Sequence, residues 1–157
     1  AMLTVDIPGY RKLQLKHLVM DYNGTLAVDG EVEAGVQAAL EALAPQLAIH
    51  VITADTFGLA ADRLAGFPVA LSVLPPGDQD VAKLNYVDQL GCAGTVAVGN
   101  GRNDRLMLKA AGLGIAVILD EGTAFETLAA ADVVCRGIVP ALELLTQPLR
   151  LKATLRA

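Results

Sequence analysis

Four apolar runs of this chain end in, or lead to, a polar group that could do chemistry. "HLVM" is followed by Asp21, "LAIHVI" by Thr53-Ala54-Asp55, and "TVAVG" by Asn100-Gly101-Arg102-Asn103-Asp104; after "VALSVL" the next helix carries Lys83. A carboxylate can act as a covalent nucleophile toward phosphorus, giving an aspartyl-phosphate. The transferred phosphoryl group carries spread negative charge and needs a cation, a lysine and hydroxyl or amide donors around it. Mg²⁺ takes hard oxygen ligands and keeps several waters. Asp21 and Asp104 offer carboxylates, Asn side chains offer neutral carbonyl oxygens, and Gly24 would let backbone amides approach a phosphate closely.

These groups have to be positioned by the elements around them. "LTVDIPGYRKLQLKHLVM" alternates apolar and polar residues about Pro8-Gly9, which predicts an N-terminal hairpin over 1–14 whose second arm runs into a strand ending at Met20. Val36, Ala39, Leu40 and Leu43 have helical spacing, and Pro45 closes that helix. Strands are predicted at 47–52, 69–74 and 95–99, then over "GIAVIL" and "DVVC". Helices are predicted at 56–65, after "PPGDQD" with Val81, Leu84 and Val87 on one face, over "NDRLMLKAAG", over "TAFETLAAA" and over 138–145. A core of 15–147 and a short helical tail of 148–157 complete one expected domain, 1–157. Strands alternating with helices imply an α/β fold, a three-layer Rossmann-like parallel sheet with helices on both faces. In such sheets ligands bind beyond the carboxyl ends of the strands, near the point where strand order reverses. The four polar groups sit at those ends.

Composition narrows the partners. The 157 residues are 54% hydrophobic, carry a net charge of −5 and contain no basic cluster, which argues against a nucleic-acid partner. No apolar run is long enough to span a bilayer, so no membrane is expected. Cys92 and Cys135 stand alone in apolar surroundings, without a CxxC or Cys/His cluster, and read as reduced core residues. With no leader-like segment visible, a cytoplasmic location is expected. His17 and His50 fall inside strands and read as structural.

Asp21-x-Asn23-Gly24-Thr25, then Thr53, then Lys83, then "VGNGRND" resemble, in order, the four motifs of the haloacid dehalogenase superfamily. The resemblance runs from about residue 15 to 135 and looks most like the soluble relatives of P-type ATPase catalytic domains, whose DKTGT, TGD and GDGxND correspond to "DYNGT", "TAD" and "GNGRND" here. It implies a Rossmann-like sheet, an aspartyl-phosphate and dependence on Mg²⁺. Under it Asp21 matches the nucleophile, Thr53 the hydroxyl that binds the phosphoryl group, and Lys83 the lysine that pairs with both. Asp21, the backbone carbonyl of Asn23, Asn100 and Asp104 match metal-holding positions. Tyr22, Gly24, Thr25, Ala54, Asp55 and Asn103 match positions around the phosphate, although Asp55 could equally cap the helix that follows.

Two departures matter. Family phosphatases usually carry an acid two residues after the nucleophile, where this chain has Asn23, which cannot shuttle a proton. Asn100 replaces the first metal-binding Asp and removes a charge. Slow turnover or a persistent aspartyl-phosphate follows. The intervals Asp21–Thr53 and Thr53–Lys83, 32 and 30 residues, are too short for an inserted cap domain. The expected function is therefore a Mg²⁺-dependent phosphohydrolase acting on a small phosphorylated substrate or a phosphoprotein, its open site covered by the substrate's bulk or by another subunit of a homo-oligomer. The alternative is a weakly active or inactive module that binds a phosphorylated ligand or a protein partner.

Overall fold

A computed structural model describes residues 2–54 and 58–157. Six parallel strands form the central sheet in the order β10-β9-β8-β3-β6-β7. They are β3 (His17–Asp21), β6 (Ala48–Thr53), β7 (Ala70–Val73), β8 (Thr95–Gly99), β9 (Leu113–Val117) and β10 (Val133–Cys135). β3, β8 and β9 bury nearly every residue, which is why they read as unbroken apolar runs rather than alternating ones. The chain starts at β3, winds outward through β6 and β7, then returns to the other side of β3 for β8, β9 and β10. The order reverses between β3 and β8, so Asp21 and Asn100 flank the switch point.

Two apolar layers sandwich the sheet. One holds Leu18, Met20, Val96 and Val98 against α1 (Val36–Leu43), α6 (Ile138–Thr146) and α7 (Pro148–Leu155). The N-terminal hairpin, β1 (Leu3–Asp6) with β2 (Lys12–Leu15), closes the same layer through Leu3, Val5, Leu13 and Leu15. The hairpin turns at Pro8-Gly9, with Gly9 at φ 74° and Tyr10 N–H donating to the Ile7 carbonyl, the geometry of a type II turn. The other layer holds Val19, Ile52 and Ala97 against α3 (Gln79–Leu90), α4 (Arg105–Ala110) and α5 (Phe125–Ala130).

After Asp21, β4 (Ala27–Val28) and β5 (Glu31–Val32) form a small flap hairpin about Asp29-Gly30, both at positive φ as a type I′ turn requires. Two expectations change. β3 begins at His17, since Leu15 belongs to β2. Of Val81, Leu84 and Val87, α3 buries only Val87 fully: Val81 is 45% exposed, Leu84 is half-buried, and the other buried residue of the helix is Lys83. The helix from 56 is described only as α2 (Leu59–Arg63), because 55–57 lie outside the described residues.

Candidate active site

Asp21 is the last residue of β3 and stands beside Ile52 of β6 in register, so Thr53 extends one residue further along the carboxyl edge. Lys83 reaches this edge from α3. Its Nζ donates to Asp104 Oδ1 at 2.8 Å and Asn103 Oδ1 at 2.9 Å, and lies 3.2 Å from Asp21 Oδ1. Lys83 and Asp104 are buried, while the Asp21 side chain keeps 14% of its surface open, enough for a ligand to reach it.

The electrostatics follow from one cation between two carboxylates. Burial pushes the Asp21 carboxyl up to about 7, and the Asp104 charge adds to that against the pull of Lys83 and the Tyr22 amide. Burial pushes Lys83 down, but the charges of Asp21 and Asp104 outweigh it and hold the ammonium above the ordinary lysine value.

Asp104 is held by the loop it belongs to. Its Oδ2 accepts the backbone N–H groups of Asn100 and Gly101, each at 3.0 Å. Gly99 makes this possible: a Cβ there would sit far inside van der Waals contact with the Asp104 carboxyl. Thr127 Oγ1 of α5 donates to the Gly101 carbonyl at 2.7 Å and fixes the loop from outside.

On the other side, Asn100 packs against the loop after β3. Its Nδ2 donates to the Gly122 carbonyl at 3.1 Å, and Thr25 Oγ1 lies 3.4 Å from its Oδ1. Gly24, at φ 78°, leaves the space the Asn100 amide fills. The Gly24 N–H donates to the Ala27 carbonyl at 2.7 Å, and its missing side chain accommodates Asn100. The Tyr22 ring is buried in the core, its hydroxyl donates to Gly30 of the flap at 2.8 Å, and its amide hydrogen-bonds to Asp21. Thr25 is fully buried and contacts Asn100, not the open edge.

Thr53 is buried at the end of β6, and Ala54 beside it is exposed. Asn23 is exposed. Asp55 lies outside the described residues. Arg102 pairs with Glu126 of α5 at 2.9 Å, and Glu31 pairs with Arg63 at 2.6 Å. Sequence reasoning missed Gly122, Thr127 and the Tyr22 hydroxyl. Nothing in local spacing points to the first two, whereas Asp29-Gly30 signals the flap that Tyr22 holds.

The donors fit a divalent cation. Asp21, the Asn23 carbonyl and Asn100 Oδ1 are hard oxygens, and two carboxyl groups share the single Lys83 ammonium. The fit is lean, because both Asp104 oxygens are engaged by Lys83 and the loop amides. Among the described residues no three His, Cys, Asp or Glu side chains form a metal-sized cluster.

Superposition on solved structures gives TM-scores of 0.72 with 3-deoxy-D-manno-octulosonate 8-phosphate phosphatase from Moraxella catarrhalis, in complex with magnesium, phosphate and KDO, and 0.70 with the cobalt-bound form of the corresponding phosphatase from Haemophilus influenzae. Identities are 17% and 15%, covering 89% and 91% of this chain and 90% and 94% of those chains. A HAD-superfamily (subfamily III A) hydrolase structure from Legionella pneumophila gives 0.68 at 18% identity over 89% of this chain and 87% of that one. The fold is therefore haloacid dehalogenase-like. By sequence, 84 residues, 51% of this chain, are 44% identical to an uncharacterized protein of Methanocaldococcus jannaschii and cover 90% of it. The chain belongs to the family of that archaeal protein. No family model matches it.

Proposed function

We propose that the chain is a phosphohydrolase that transfers a phosphoryl group to Asp21. The observation that carries this is the buried Lys83 ammonium, held between Asp21 and Asp104 at the carboxyl edge of the sheet. A lysine costs several kcal/mol to bury and repays it only through such partners. One that also sits 3.2 Å from a strand-end carboxylate is placed to neutralise an incoming phosphoryl group. The haloacid dehalogenase-like fold and its phosphatase neighbours support the reading.

In this mechanism the Asp21 carboxylate attacks phosphorus, the bond to the leaving oxygen breaks, and water then hydrolyses the aspartyl-phosphate. Lys83 screens the charge on the phosphoryl oxygens, and Asn103 and Asp104 hold Lys83 in line. Thr53, at the neighbouring strand end, is assigned the phosphoryl-binding hydroxyl. Mg²⁺, held by Asp21, the Asn23 carbonyl and Asn100, would supply the remaining positive charge. Asn23 cannot protonate the leaving oxygen, so good leaving groups are favoured. The substrate is a small phosphorylated molecule or a phosphoprotein, and its bulk or a second subunit covers the open edge.

Phosphate release from p-nitrophenyl phosphate and acetyl phosphate, with and without Mg²⁺, tests this in wild type and Asp21→Asn. Release that persists in Asp21→Asn, or none with any substrate, rejects hydrolysis through Asp21. The amides at 23 and 100 favour a second reading, a module that binds a phosphorylated ligand without turnover. Phosphoester binding without an Asp21-dependent beryllium fluoride adduct would select it.

A further inference from the structure

At the opposite, amino edge of the sheet a cleft of about 680 Å³ opens between β2 and the segment that follows α3. Its size suits a small molecule. Lys12, Gln14, Lys16 and His17 line one side, Leu90 and Cys92 the other. No carboxylate lines it, in a chain whose net charge is −5. The ends of Lys12, Gln14 and Lys16 have no protein partner among the described residues. Two carboxylates stand at the margin: Asp6, opposite Lys12 in the hairpin register, and Asp88, which accepts from Cys92 Sγ at 3.9 Å.

His17 opens a second line of evidence. Its Nδ1 lies 3.1 Å from His50 Nε2, His50 Nδ1 lies 2.9 Å from the Tyr86 hydroxyl, and that hydroxyl lies 3.3 Å from Ser72 Oγ. Four side chains from β3, β6, α3 and β7 form one continuous chain of hydrogen bonds. With both imidazoles neutral, the chain has two self-consistent directions, because each ring donates from one nitrogen and accepts at the other. In the first, His17 Nδ1–H donates to His50, His50 Nδ1–H donates to Tyr86, and Tyr86 donates to Ser72; His17 Nε2 is then a bare acceptor. In the second, Ser72 donates to Tyr86, Tyr86 to His50 Nδ1, and His50 Nε2–H to His17 Nδ1; His17 Nε2–H becomes a donor. Both directions hold the same number of protons.

We infer that the cleft binds a small organic anion, a carboxylate or a phosphate, and that the anion selects the second direction. An anion needs donors, and of the two neutral directions only the second supplies one at His17 Nε2, in the cleft that Lys16 also lines. Binding therefore moves the His50 proton from Nδ1 to Nε2 and turns the Tyr86 hydroxyl from Ser72 to His50. Tyr86 lies on α3 three residues after Lys83, and Leu90 of the same helix lines the cleft. The binding site stands independently of the reaction assigned to Asp21.

Histidine-labelled full-length protein, titrated at low salt with inorganic phosphate and separately with succinate, tests this by ¹⁵N ring resonances, which distinguish the two tautomers. A saturable inversion of the His50 pattern by either ion is expected, and the effective ion names the ligand class. Lys12→Gln with Lys16→Gln, both exposed, the first on β2 and the second in the link to β3, should weaken binding at least about tenfold, the loss expected for charge-assisted contacts. Asp21→Asn should leave the inversion unchanged, which separates the cleft from the strand-end site. No inversion with either ion, an inversion of equal affinity in the double variant, or one abolished by Asp21→Asn overturns the inference.

Discussion

Asn23 lies two residues beyond the nucleophile position, exposed at the open edge, with an amide where an acid would move protons. Restoring the acid should cost the fold little, since an exposed side chain changes by one atom type. Asn23→Asp is therefore expected to raise kcat by about 10²-fold, the low end of a general acid's contribution. The gain should be larger for an alkyl phosphate than for p-nitrophenyl phosphate, whose leaving group needs no proton. Equal gains for both would mean the new carboxylate acts by charge rather than as an acid. Asp21 itself carries a second prediction. Its folded-state carboxyl sits near 7 against an ordinary 3.8, so the folded protein binds this proton more tightly than the unfolded chain. The stability it contributes is fully present below about pH 4 and is lost as pH rises to about 7. Urea melts of metal-free protein should show this decline. Saturating Mg²⁺ should reduce it, because the ion favours the carboxylate. A flat profile without metal would show that Lys83 alone neutralises Asp21.

Elements show where sequence patterns inform and where they mislead. β3, β8 and β9 were legible because strands covered on both faces read as continuous apolar runs, and Asp21 and Asn100 stand out where those runs stop. α3 was misread in its facing. Apolar spacing puts Val81, Leu84 and Val87 inside, yet the ion pairs of Lys83 turn the helix so that the lysine is buried and Val81 is left in solvent. A pattern that scores lysine as polar cannot anticipate this, because the partners lie on β3 and in the loop after β8. The flap was half legible. Asp29-Gly30 announces a hairpin, but its anchor is the Tyr22 hydroxyl, and Tyr22 looks like a site residue by position alone. Tyr22→Phe removes the donor and leaves the Gly30 carbonyl without it, at a cost of about 1–3 kcal/mol. Chemical denaturation should report that loss. Proteolysis should find its new cleavage within the flap, between 27 and 32, if the bond holds this element rather than the core.

At the scale of the whole molecule, the sheet separates two layers with different duties. The layer of α1, α6, α7 and the N-terminal hairpin closes the core. Leu151 of α7 is fully buried there, and the Ala157 N–H donates to the Pro8 carbonyl at 3.0 Å, so the last helix clamps the first turn. The layer of α3, α4 and α5 carries Lys83, Asp104 and Thr127 to the carboxyl edge. Met107 of α4, also fully buried, packs in that layer with Val87 of α3. That the polar groups gather at one edge of a parallel sheet follows from the alternation of strands and helices; this division of labour does not, since spacing along the chain leaves open which helix packs on which face. Leu151→Ala and Met107→Ala should each cost about 2–5 kcal/mol, the range for truncating a buried side chain. Their effects on the site should differ. Leu151→Ala, measured well below its melting temperature, should keep wild-type kcat/KM, because the sheet stands between α7 and Lys83. Met107→Ala should lower kcat/KM as well, because a cavity beneath α3 and α4 lets Lys83 and Asp104 drift, and displacements near 1 Å cost up to about 10²-fold. Equal activity losses in the two variants, at matched fractions folded, would mean that the layers act as one unit and that Lys83 is positioned by the whole core.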